Sequence, residues 1–290
     1  MNGIIIYNGP SLWDDNPIVV IVTGIARRSQ NPKTGDMLQT WILREDMHPV
    51  EALQTGADSS ICGNCPMRPD DDGHRACYVS MNAPGAVYKA YRAGNYESVD
   101  PEEAGDIVGG LYPQSRRKVR IGAYGDPAMV PADVWRSLIR HAKRTTGYTH
   151  QWRTMPTEYR EFCMASCDTE QDVEDAQALG YRTFRCKTEH QEPMKGEIVC
   201  PASEEAGRMT TCDQCGLCSG VKQRSNRIPS VTITVHGRGA KYFSGDHSPD
   251  SLGKDSECNA DTLDQSARNR GRFLAGEQPA ESQASFTGHS

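Results

Sequence analysis

The stretch Val119–Arg144, VRIGAYGDPAMVPADVWRSLIRHAKR, decides how the rest of the chain is read. VRIGAY is a short run of apolar and small residues of strand length, and GDPAMVP after it carries turn chemistry. From Pro131 to Arg144 the spacing changes to that of a helix. Val134, Leu138 and Ala142 line one face, with Trp135 and Ile139 beside them. The same unit recurs downstream. Gly147–Trp152 and Phe162–Cys167 read as strands. Thr169 then reads as an N-cap with Asp172 at the third helical position, Val173, Ala176 and Leu179 face inward, and Gly180 is a stop. Tyr181–Cys186 and Glu197–Cys200 read as further strands. Strands alternating with helices predict βαβ units, a parallel sheet and right-handed crossovers. Seven or eight strands favour an α/β fold built as a parallel-sheet (β/α) barrel, complete or incomplete, over an open doubly wound sheet. No glycine-rich dinucleotide fingerprint or P-loop accompanies any strand–helix turn.

Upstream, IVVIVT (Ile18–Thr23) reads as a buried strand and Trp41–Leu43 as a second short apolar run. Residues 27–40 read as a loop or irregular hairpin, and Met47–Leu53, Ala86–Arg92 and Pro101–Val108 as helices. The last has Asp100 as N-cap and Pro101 at the first helical position. The whole is read as one domain, 1–240, with a disordered tail, 241–290. The tail is polar, lacks apolar periodicity, and carries eight acids and five bases. That net of −3 is half the chain's −6, so net charge does not argue for or against nucleic acid. No run approaches the ~18 apolar residues of a membrane span. The N-terminal MNGIIIYNGPSLWDD lacks a basic region before its apolar run, so no signal peptide and a cytoplasmic location are expected.

The chain has 11 cysteines, most of them clustered. Cys200, Cys212, Cys215 and Cys218 follow C-x11-C-x2-C-x2-C, and His236 lies beyond them. A C-x2-C pair grips one metal ion from both sides of a tight turn, and two more soft ligands complete a tetrahedron suited to zinc. Five candidates compete for four places. Segment 200–236 is therefore read as a zinc-binding C-terminal segment. Spacing alone also admits an iron–sulfur cluster. A second candidate site lies at Cys62, Cys65 and Cys77 (C-x2-C-x11-C), with His74 beside the third cysteine. Its alternatives are a zinc site, an iron–sulfur cluster with one open iron, or buried thiols in a polar loop. The radical S-adenosylmethionine spacing C-x3-C-x2-C does not occur. Clustering of this kind without an export signal points to metal in a reducing compartment.

In a parallel α/β fold reactive groups gather at the carboxyl ends of strands. Asp126 follows VRIGAYG and Asp168 follows FCMASC. Each is a candidate catalytic acid, or a turn and capping residue. His150, Gln151 and Trp152 end the strand between them and are candidates for substrate hydrogen bonding and stacking. Arg116, Arg117, Lys118, Lys222, Arg224 and Arg227 are candidate phosphate contacts.

From Val119 to His236 the chain resembles a group of phage proteins that share a GD turn after a strand, an ASxD-like strand end, CPAS, T-C-x2-C-G-L-C and a final V-x-x-HG. Its metal region is similar to that of the guanine transglycosylases, the tRNA enzyme and its DNA-acting relatives, although the C-x-C-x2-C spacing of the tRNA enzyme is absent. The resemblance implies a TIM barrel with zinc held by Cys200, Cys212, Cys215 and His236, with Cys218 nearby or substituting. It implies that Asp168 attacks C1′ of a flipped deoxyguanosine while Asp126 manages the proton. Guanine in DNA would be exchanged for a 7-deazaguanine, preQ0-like base through a covalent aspartyl intermediate. The expected setting is the cytoplasm of an infected host cell. The alternatives from other classes are an iron–sulfur, radical-type enzyme using Cys62, Cys65 and Cys77, and a non-catalytic zinc-containing DNA-binding protein.

Overall fold

A computed structural model describes residues 2–29, 31–110, 115–222, 228–243 and 245, which belong to one compact unit. Arg224, Arg227 and nearly all of the predicted tail lie outside the described residues. Ten strands form one sheet: β1 (Gly3–Pro10), β2 (Pro17–Thr23), β3 (Leu38–Arg44), β4 (Glu97–Ser98), β5 (Lys118–Tyr124), β6 (Arg144–Thr149), β7 (Met164–Cys167), β8 (Thr183–Lys187), β9 (Glu197–Val199) and β10 (Ser230–Thr234). Their spatial order is β4-β1-β2-β3-β5-β6-β7-β8-β10-β9. β1, β2 and β3 are joined antiparallel, whereas β3, β5, β6, β7, β8 and β10 run parallel. The parallel sheet is thus as expected, but the sheet does not close into a barrel. β4 and β9 remain as its edges, and each has only two or three residues with which to pair further.

The six parallel strands of the centre stand in chain order, with no reversal at which a doubly wound sheet would switch faces. Right-handed crossovers that advance in one direction place the helices on one side. Three helices meet that side: α4 (Pro101–Gly109), α5 (Ala132–Ile139) and α6 (Glu170–Ala178). Ala104, Val108, Val134, Trp135 and Leu138 pack with Val119 and Ile121. Val173 and Ala176 pack with Ala165 and Cys167. Strand alternation then turns Arg120, Gly122 and Tyr124 of β5, and Thr146 and Tyr148 of β6, to the opposite face. That face carries a cavity instead of a second layer of helices.

Local chemistry accounts for most of these elements. Asp100 caps α4 by accepting from Glu102 N–H, and Thr169 and Asp172 form a reciprocal capping box on α6, both at the predicted positions. β1, β4 and β10 have no counterpart among the predicted strands. α5 ends at Ile139, five residues before the predicted helix end, because Thr145 and Thr146 are β-branched and open β6. The loop between β3 and β5 holds α1 (Pro49–Thr55), α2 (Ser59–Cys62) and α3 (Asn82–Arg92). The Cys62–Cys77 segment runs between α2 and α3. At the end of β5, Gly125 has φ +83°, and a Cβ there would stand 2.6 Å from Ile42 Cβ. Only glycine allows this approach, which lets Asp126 N–H reach Ile61 carbonyl at 2.7 Å and fixes the Cys62 loop to the rim.

Candidate functional site

A cavity of about 400 Å³ lies at the carboxyl ends of the parallel strands and along the face below them. It falls in the range typical of small-molecule sites. The strands contribute Tyr124, Tyr148, Ser166, Phe184, Cys186 and Ile233, and the loop after β3 contributes Cys62, Cys65 and Cys77 from the other side. The N-terminal cysteines therefore sit where a parallel sheet presents chemistry. Burial pushes the Cys62 thiol well up, and Cys65, Asp58, Cys77 and Asp126 push it further. Burial likewise raises Cys77, opposed by the Arg75 guanidinium beside it. Asp58, just ahead of the cluster, is 2% exposed and ion-paired to Arg68 at 2.7 Å. His74 does not join this group; its ring stacks on Tyr242 at 4.4 Å and faces Asp70.

Cys65 Sγ lies 3.3 Å from His150 Nδ1, and His150 Nε2 lies 3.4 Å from Asp168 Oδ2. Burial would lower the imidazole pKa, but Cys65 and Asp168 on its two sides hold it well above the ordinary histidine value. Asp168 is 3% exposed, keeps Oδ1 without a hydrogen-bond partner, and reaches the cavity only through His150. Asp126 lines the cavity with both oxygens engaged. Oδ1 accepts from Ala128 N–H (2.9 Å) and the Thr149 hydroxyl (2.7 Å), and Oδ2 from His150 N–H (2.8 Å). The two aspartates thus meet at one rim and bracket His150.

Gln151 and Trp152 are placed otherwise than predicted. Gln151 is wholly buried, and its Nε2 donates to Cys62 carbonyl at 3.0 Å. Trp152 is 2% exposed, packs among Ala165, Cys167, Val173 and Tyr181, and donates to Ser166 carbonyl at 2.9 Å. The strand ends at Thr149, three residues before its predicted end, so only His150 of the three faces the cavity.

The second cysteine group is built around α7 (Cys212–Cys215), whose amino end is clamped by the loop before β3. Cys212 and Asp213 donate to the carbonyls of Lys33 and Thr34 at 2.9 and 3.0 Å. Lys118 Nζ pairs with Asp213 at 2.9 Å. The Cys218 turn is held by Arg182, which donates to the carbonyls of Leu217 and Ser219 at 2.6 Å each. Burial raises Cys200, Cys212 and Cys218, and Cys215 adds to the rise in each. Cys218 stands close enough to Cys200, Cys212 and Cys215 for each to raise its pKa. His236 stacks on Tyr78, its Nε2 lies 3.3 Å from Lys33 Nζ, and burial and Lys33 lower its pKa. Cys200, Cys212 and His236 also line the cavity. Among the described residues, no three His, Cys, Asp or Glu side chains close on a single ion position.

The four described basic candidates do not line the cavity. Lys118 opens β5 at its amino end and is paired with Asp213, and Arg117 beside it donates to the carbonyls of Gly24 and Ile25 and to Asp36. Arg116 is exposed, and Lys222 faces Glu161 at 3.6 Å. The cations that do line the cavity are Lys33, Arg68, Arg75 and Arg120, none of which was predicted. Arg120 had a signal: a charged residue in the middle of VRIGAY, in phase with Gly122 and Tyr124. Among the described residues no helix is long and apolar enough to cross a membrane. Comparison with family models, with curated proteins and with solved structures found no match.

Proposed function

We propose that the chain is an iron–sulfur enzyme of radical or redox type, with Cys62, Cys65 and Cys77 as the ligands of a cluster open to the cavity. One observation carries the reading. Three thiols from the loop after the first parallel strand line the cavity at the carboxyl ends of the sheet, where His150 Nδ1 stands 3.3 Å from Cys65 Sγ. Three thiolates are soft donors that suit an iron–sulfur cluster. A catalytic zinc keeps a histidine or carboxylate among its ligands. Here His74 is on the surface, and His150 is engaged by Asp168. Buried thiols whose pKa values are raised by one another coexist as thiolates only when a cation compensates them, which a cluster's iron does.

The cluster, when bound, supplies an electron at its open iron. The chain's own residues hold and shield it. Arg75 stands beside Cys77, Asp168 faces the Nε2 side of the His150 ring, and the Nδ1 side of that ring faces the sulfur of Cys65. Tyr124 Oη lines the cavity with no hydrogen-bond partner and offers a donor to a ligand there. Cys200, Cys212, Cys215 and Cys218 are four neighbouring thiols of the kind that would hold a structural zinc.

Base exchange in DNA draws less support. It needs a carboxylate free to attack a sugar, whereas Asp126 is fully engaged as a cap and Asp168 stands behind His150. Anaerobic purification tests the choice. A brown protein absorbing near ~400 nm that is bleached by Cys62→Ser or Cys77→Ser supports the cluster. A colourless protein that forms an Asp168-dependent covalent adduct with guanine-containing DNA supports base exchange.

A further inference from the structure

Arg120 projects from the middle of β5 into the cavity, where a parallel sheet ordinarily presents apolar or small side chains. Its hydrogen-bond partner is the Tyr78 hydroxyl. Arg75 donates to the Val79 carbonyl at 3.0 Å, and Lys33 Nζ lies against His236. Among the described residues, no carboxylate stands within ion-pair distance of these three cations. Arg68, the fourth cation of the cavity, differs because Asp58 neutralises it. Asp126, the other carboxylate of the wall, is turned into its own cap. Three cations without a carboxylate partner thus line one cavity, each half-buried. On the same face of the sheet the cavity is also aromatic: Tyr148 and Phe184 pack with ring centroids 4.5 Å apart.

We propose that Lys33, Arg75 and Arg120 form the binding site of a small organic anion, whose carboxylate or phosphate they hold while its apolar body rests on Tyr148 and Phe184. Guanidinium groups match the planar edge of a carboxylate or the oxygens of a phosphate, and Lys33 adds a point charge. The thiols of Cys200, Cys212 and Cys77 share these cations in part. The alternative is therefore that the cations serve only the metal sites. This inference adds a substrate class to the cavity assigned above and does not itself require iron.

The test is isothermal titration of the protein as purified with three probes of one shape: phenyl phosphate, benzoate and uncharged benzamide. Phenyl phosphate or benzoate should bind at least ~10-fold more tightly than benzamide, and the tighter of the two identifies the group preferred. Arg120→Gln should weaken that anion by about tenfold to a hundredfold, the value of one charged hydrogen bond. Arg75→Gln serves as the second variant if Arg120→Gln does not fold, and exposed Arg116→Gln should bind as the parent does. Equal binding of benzamide, unaltered affinity in the cation variants, or no binding of either anion overturns the proposal. Anion binding by protein that takes up no iron even on anaerobic reconstitution would sink the cluster reading and leave this one standing. Iron-loaded protein that ignores both anions would do the reverse.

Discussion

Replacing Asp126 distinguishes a structural carboxylate from a catalytic one. The side chain is 7% exposed and accepts three hydrogen bonds, from Ala128 N–H, the Thr149 hydroxyl and His150 N–H. Asp126→Ala leaves three donors unpaired at the junction of β5, β6 and the Cys62 loop. Each unpaired donor costs about 1–3 kcal/mol. The cavity beside them admits water, so the lower end applies and the sum is about 3 kcal/mol. For a unit of this size that lowers the melting temperature by roughly 6–12 °C. Asp126→Asn keeps one acceptor oxygen, turns an NH₂ group toward a donor, and should cost about half as much. Thermal unfolding followed by circular dichroism measures both. A general acid or base behaves differently: its amide variant loses activity and keeps its stability. If Asp126→Ala melts within a degree or so of the parent, the capping account of this residue is wrong.

Three further outcomes follow from the geometry. Arg185 and Glu197 form an ion pair with side chains 0% and 2% exposed, so Glu197→Gln, which strands the guanidinium, should cost about 3–5 kcal/mol in urea unfolding, while joint replacement by apolar residues should cost much less. Gly35 has φ +67° and a Cβ there would meet Asp213 Oδ1 at 2.0 Å, so Gly35→Ala should displace the loop that clamps α7 and lower bound zinc by elemental analysis. The Arg136 guanidinium holds the Glu161 carboxyl below its usual value. That pair stabilises the fold above the unfolded carboxyl pKa and ceases to do so as pH falls through the folded one, so Glu161→Gln should lower stability at neutral pH, flatten the acid limb of the stability–pH curve below about pH 5, and meet the parent's curve in acid.

The sequence was legible where one residue acts through its own backbone. The Asp100 cap, the Thr169–Asp172 box and the apolar β2 run are local signals, and each appears where predicted. The parallel alternation was legible for the same reason. Closure was not, because it depends on how β1, β2 and β4 extend the sheet at one edge, and no local pattern encodes that. The site was legible as a set of residue types. Cys62, Cys65 and Cys77 share a cavity, and Asp126, His150 and Asp168 share a rim. Their roles were not legible. Whether Asp126 faces substrate or caps a turn depends on Thr149 and His150 from the neighbouring strand. Trp152 offers the same side chain whether it stacks on a ligand or fills the space beneath α6. Cys218 takes its place near Cys200 and Cys212 because Arg182, 36 residues away in sequence, fixes its loop.

The central claim is an iron–sulfur cluster on the first three cysteines, and metal and sulfide content test it most directly. Anaerobically purified protein should contain iron and acid-labile sulfide in equal amounts together with about one zinc per chain. The triple variant Cys62→Ser, Cys65→Ser, Cys77→Ser should lose the iron and sulfide and keep the zinc. Protein that carries zinc alone, with neither iron nor sulfide before or after anaerobic reconstitution, contradicts the claim.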